Sequence, residues 1–209
     1  ALLALIATGF DEIRTTALIL NVAVVIIGSV RFHRMGLLSF RQFAPFVLAS
    51  MITAFLGAQL QLSARTFFIL LGALLILASI FMSIQGLSLS KQEKTLNAVQ
   101  KGLTGGFVGF MSGLVGVGGG IFLSPILHLM NWRKAHSIAA LSAFFILCNS
   151  LAGILGLAYS SQFVLNSDLM IIALPAVLIG GFLGNYILTT SLNPKIIRIL
   201  TALFVGYVG

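Results

Sequence analysis

Long apolar runs alternate with short polar connections along this chain. Runs near 13–30, 42–60, 67–84, 99–115, 137–159, 168–189 and 196–209 approach the roughly 20 mostly apolar residues that cross a hydrocarbon layer of about 30 Å as helix. Between them lie "RFHRMGLLSFR", "QLSAR", "GLSLSKQEKTLNAVQK", "NWRKAH", "SSQFVLNS" and "TSLNPK", each too polar for hydrocarbon. The pattern predicts an all-α polytopic membrane protein. Ser90 and Glu93 have the S-x-x-E spacing of a capping box, which predicts a helix start in the third connection. The last run is short for a span and reads as cut off.

Residues 121–130 fall outside this scheme. As helix they rise about 15 Å, half of the hydrocarbon thickness. They either prolong the helix before them or turn back as a half-helix, and charge decides between the two. A single kinked crossing over 99–130 divides the basic residues evenly between the two sides. A chain that breaks at the glycines of "GLVGVGGGIFLSP" and returns puts Arg31, Arg34, Arg41, Lys91, Lys94, Lys101, Arg133, Lys134, Lys195 and Arg198 on one side, leaving Arg14 and Arg65 on the other. That bias is what membrane insertion reads, so the re-entrant path is predicted and the basic side is the cytoplasmic one.

Composition agrees with a membrane setting. Of 209 residues, 59% are hydrophobic and 8% charged, too apolar for a water-soluble domain of this size. The net charge of +8 reads as basic loops beside lipid and excludes nucleic acid as a partner. Cys148 is the single cysteine, so neither an intrachain disulfide nor a thiolate metal site is available. Neither a cofactor nor a metal is expected: the four carboxylates lie outside the span centres, and no nucleophile–base set suggests an enzyme.

The chain also resembles itself. "FLGA" at 55–58 recurs as "FLGN" at 182–185, "SARTFFILLGAL" from Ser63 aligns with "NPKIIRILTALF" from Asn193, and "GFDEIRTTAL" from Gly9 with "NWRKAHSIAA" from Asn131. With a re-entrant break between them, two oppositely oriented copies are expected, a first repeat over 1–90 and a second over 91–209, the inverted-repeat plan of many secondary transporters. The partner of the glycine motif would precede Ala1, so a further span and a second glycine break are expected there.

Broken backbone at membrane depth leaves N–H and C=O groups that protein, water or ligand must satisfy. Gly116, Gly118, Gly119 and Gly120 allow close approach and positive φ. Pro125 suits the first turn of a returning half-helix, whose N-terminus offers free N–H groups and partial positive charge. Together they predict a small-anion site. Gly102, Gly105, Gly106 and Gly109 read instead as a packing ridge. Polar residues inside spans are the side-chain candidates: Asn21, Asn149 and Ser150, with Ser112 and Ser124 flanking the glycines. Interhelical hydrogen bonding is their bland alternative. His128 is a candidate proton carrier, His33 and His136 read as solvated, and Asp11, Glu12 and Arg14 read as a local cap and ion pair.

"GLVGVGGGIFLSPIL", the W-R-K-A connection, "FFILCNSLAG" and "FLGN" resemble the second repeat of the sulfite exporter TauE/SafE family, the toluene sulfonate uptake permeases, and "NVAVVIIGSVRFHRMGLLSFRQFAPFVLAS" resembles its first repeat. The resemblance implies a secondary transporter of sulfite, sulfonates or related organosulfur anions in a prokaryotic plasma membrane. The expected partners are thus a small anionic substrate and the lipid bilayer. A homo-oligomer stays open, as does a passive channel for small anions or solutes as the alternative function.

Overall fold

The structure is a computed structural model that describes residues 10–85, 94–190 and 207. Seven helices follow one another in the described segments: α1 (Phe10–Arg34), α2 (Phe40–Gln59), α3 (Ala64–Gln85), α4 (Ala98–Val115), α5 (Gly120–Leu129), α6 (Ala135–Tyr159) and α7 (Ser167–Thr190). Among the described residues there are no strands. Each of the first six apolar runs is a helix, and the orphan stretch 121–130 is α5. Apart from Tyr207, the predicted span at 196–209 lies outside the described residues. Four helices, α1, α2, α3 and α6, contain stretches long and apolar enough to cross a membrane. The glycines of α4 make it less apolar, and α2 covers them.

One boundary differs from the expectation. Ser90 and Glu93 lie outside the described residues, but 94–97 are not helical, so α4 does not run on from them. Its start is an Asn–Gln capping box instead: Asn97 Oδ1 accepts from the Gln100 N–H at 2.8 Å, and Gln100 Oε1 accepts from the Asn97 N–H at 3.1 Å. Both reciprocal bonds satisfy amides that have no helical acceptor.

α2 and α4 pack in parallel with their backbones nearly touching. Gly105, Gly109 and Gly113, one per helical turn, lie against Phe46, Ser50 and Ala54, and a Cβ on Gly109 would stand 2.5 Å from the Ser50 carbonyl oxygen. In lipid, where apolar surface gains little by leaving its solvent, such close van der Waals contact is what associates helices. Thr53 Oγ1 adds a bond to the Gly106 carbonyl at 2.8 Å. The predicted ridge therefore exists at Gly105 and Gly109 and extends to Gly113, a residue that the sequence pattern groups with the break.

α5 lies inside the bundle, its Phe122, Leu123 and Leu127 buried with Phe43, Phe46, Leu141 and Phe145. The chain then returns to the end where α4 began. The Lys94 N–H donates to the Asn131 carbonyl at 2.7 Å, and Trp132 packs edge-to-face with Phe46, ring centroids 5.2 Å apart. α4 and α5 thus form the re-entrant pair that the charge distribution predicts. The connections carrying Arg31, Arg34, Arg41, Lys94, Lys101, Arg133 and Lys134 share one end; Lys91, Lys195 and Arg198 lie outside the described residues. Leu48, Ile52, Leu103, Phe107, Ile171 and Ile172 face outward, as lipid contact requires.

Candidate functional site

The break between α4 and α5 spans four residues. Gly116 ends α4 in the left-handed conformation at φ +71°, its N–H bonded to the Ser112 carbonyl at 2.7 Å. Gly118 and Gly119 follow at φ +76° and +77°, and Gly119 is the N-cap of α5. Any side chain at these three positions is strained, because a Cβ crowds the carbonyl at positive φ.

Each glycine also has a close neighbour. A Cβ on Gly116 would lie 3.1 Å from the Cα of Arg14, so this residue lets α1 pass rather than facing the polar side chains. A Cβ on Gly118 would lie 3.0 Å from Asn21 Nδ2 and 3.2 Å from Ser150 Oγ; one on Gly119, 3.1 Å from Ser112 Cβ and 3.3 Å from Asn149 Nδ2. A Cβ on Gly120 would overlap the Ile146 side chain. Four of the polar residues picked out in the sequence, from α1, α4 and α6, therefore converge on Gly118 and Gly119, near the middle of the two 25-residue helices α1 and α6.

Three of the four polar residues are buried and unmatched. Asn149 is 1% exposed, yet neither its Oδ1 nor its Nδ2 has a hydrogen-bond partner; Ser112 and Ser150 Oγ are likewise buried and unpartnered. The N–H groups of Gly118 and Gly119 meet no backbone acceptor among the described residues, and those of Gly120 and Ile121 open the helix, where no preceding turn can accept them. The Gly119 carbonyl accepts from Phe122 at 3.1 Å and Leu123 at 3.0 Å, which closes the first turn of α5. Each buried polar group left without a partner costs about 1–3 kcal/mol. Donors from a helix N-terminus and from Asn, with hydroxyls that serve as donor or acceptor, fit a small anion bearing oxygen atoms. Phe145 and Ile146 form the apolar wall.

Two candidates sit elsewhere. Pro125 is the sixth residue of α5, beyond its first turn, so its missing N–H frees the Ile121 carbonyl rather than suiting the helix start. Ser124 lies half-buried one turn inside α5, where its carbonyl faces His128 Nδ1 at 2.8 Å. Cys148 is a free, half-buried thiol. Among the described residues, no three His, Cys, Asp or Glu side chains group as metal ligands.

Arg14 departs most from its sequence reading. It keeps the expected approach to Asp11, at 3.9 Å, but is fully buried rather than facing the outside. Its Nη2 donates to the Ala58 carbonyl at 2.9 Å and the Gly113 carbonyl at 3.1 Å, and its Nη1 to Gln162 Oε1 at 3.2 Å. Both carbonyls lie at helix C-termini, where no following turn donates. A residue one turn into a span, beside two carboxylates, reads in sequence as a local ion pair. Only the convergence of α2 and α4 exposes the larger role.

A helical bundle with an outward apolar surface, a buried half-helix and a polar cluster at its broken end defines an integral membrane protein of the transporter class. The chain belongs to the sulfite exporter TauE/SafE family, whose profile matches residues 1–209. It is 32% identical over 212 residues to the "Probable membrane transporter protein y4hK" of Sinorhizobium fredii, across 99% of this chain and 85% of that protein. No solved structure matches it significantly. The chain is thus an integral membrane protein of the prokaryotic plasma membrane.

Proposed function

We propose that this transporter carries a small oxyanion of sulfur, such as sulfite or an organosulfonate, by alternating access. The anion sits against the N–H groups of Gly118–Gly120 at the start of α5, with Asn21, Asn149, Ser112 and Ser150 supplying side-chain hydrogen bonds. The carrying observation is the buried Asn149 with both amide atoms unpartnered beside a helix N-terminus. A bound anion would accept charge-assisted bonds from Asn149 Nδ2, the serine hydroxyls and the free N–H groups, and the α5 N-terminus contributes a partial positive charge of about half a unit.

The inverted-repeat plan is part of this proposal. It draws support from α1 and α6, both 25 residues long and running in opposite directions, with Leu18 against Gly153 and Asn21 near Ser150. Two such halves rocking about the anion expose it to each side in turn.

The test is thermal stability of the purified protein in detergent against sulfite, sulfate, thiosulfate, sulfoacetate, taurine and chloride. A ligand at about 100 times its dissociation constant adds roughly 2.7 kcal/mol. A rise with sulfur oxyanions that vanishes on replacing Asn149 is expected; no rise with any of them, in folded protein, overturns the proposal. Flux into proteoliposomes separates carrier from channel: saturation and coupling to a gradient are expected, whereas current set by potential alone marks a pore.

A further inference from the structure

We infer that Arg14 and Gln162 form the gate that closes one side of the substrate site, the side opposite the basic connections. The inference rests on the alternating-access reading above. Arg14 is 0% exposed and donates to the ends of two helices, Ala58 of α2 and Gly113 of α4, and to Gln162 in the connection between α6 and α7. Gln162 in turn donates from Nε2 to the Gln59 carbonyl at 2.9 Å and to Ser160 Oγ at 2.9 Å. Two side chains thus tie together α1, α2, α4 and the α6–α7 connection at a single end. The first two belong to the first proposed repeat and the others to the second, so the bonds cross the boundary that alternating access requires to open.

The position suits a gate. Arg14 stands two helical turns, about 10 Å, before Asn21 on α1, and its backbone is the close neighbour of Gly116, two residues before Gly118. The cluster therefore lies between the anion site and that end of the bundle, and movement of Arg14 acts directly on the glycine break. The chemistry suits a gate as well. A buried ionic cluster is a poor way to add stability compared with apolar packing, and its best-attested use is to select between arrangements. Nor is the cluster saturated: Arg14 Nε and Asp11 Oδ1 lack hydrogen-bond partners, which leaves capacity for a different set of bonds in the open state.

The test places a reporter thiol at the site wall in the full chain, Ile146→Cys with Cys148→Ser, in sealed vesicles of each orientation. A membrane-impermeant maleimide is then applied from the Arg14 side or from the basic side. Gln162→Ala is expected to raise labelling from the Arg14 side roughly tenfold, the population shift that follows loss of one charge-assisted hydrogen bond, and Arg14→Gln, which loses three, at least as much, with no such rise from the basic side. Unchanged labelling in both variants, or an equal rise from both sides, overturns the gate, because general loosening does not choose a side. If Arg14→Gln fails to fold, Gln162→Ala keeps the charge in place and decides alone. Protection of the reporter by sulfite in the parent reads the substrate proposal separately: its loss counts against the cargo, while sided labelling still judges the gate.

Discussion

At Gly119 a single methyl group tests the site. The backbone is at φ +77°, and a Cβ would meet Phe145 Cε1 at 2.9 Å and Ser112 Cβ at 3.1 Å. Left-handed strain alone costs about 1–2 kcal/mol. Gly119→Ala is expected to fold with lowered melting temperature and to lose sulfite-dependent stabilisation; intact transport in that variant overturns the site. Asn149→Leu gives the sharper contrast. It removes two unpartnered buried polar atoms from a side chain of similar size, so the anion-free protein is expected to gain about 1–3 kcal/mol while anion binding disappears. A loss of anion-free stability would instead mean that Asn149 serves only the packing of the helices.

At the scale of elements, the α2–α4 contact is the seam that carries the fold. Gly109→Ala puts a methyl 2.5 Å from the Ser50 carbonyl oxygen, which neither backbone can avoid without separating the helices. Its expected cost is about 1–3 kcal/mol by thermal unfolding in detergent. Gly28 in α1, where a Cβ would have nothing within 4 Å, is the control: Gly28→Ala is expected to gain about 0.5–1 kcal/mol from helix propensity alone. The start of α4 gives a third reading, since Asn97→Ala loses the capping box and is expected to cost about 1 kcal/mol.

For the whole molecule, the consequence of the re-entrant pair is sidedness. A thiol introduced at Arg133 and one at Phe163 are expected to react with an impermeant reagent from opposite faces of the membrane, the first from the face that Lys94 shares. Reaction of Arg133 from the face opposite Lys94, with Phe163 then reacting from the Lys94 face, would restore a single kinked crossing over 99–130 and invert everything after it.

The described helices and the direction of α5, though not the start of α4, were legible in the amino-acid order, for a physical reason. Lipid penalises charge and unpaired backbone so heavily that apolar run length sets the spans and lysine and arginine placement sets their direction. The glycine break was legible too, because consecutive glycines weaken a helix. What three-dimensional packing alone decided was partnership: that Gly113 serves the α2 seam and Gly116 the passage of α1, that Asn21, Ser112, Asn149 and Ser150 meet at Gly118 and Gly119, and that Arg14 leaves its expected surface to take the ends of α2 and α4. Those contacts join residues as far apart in the chain as Arg14 and Gln162. Their energies depend on which helix faces meet, and no local pattern of residues encodes that.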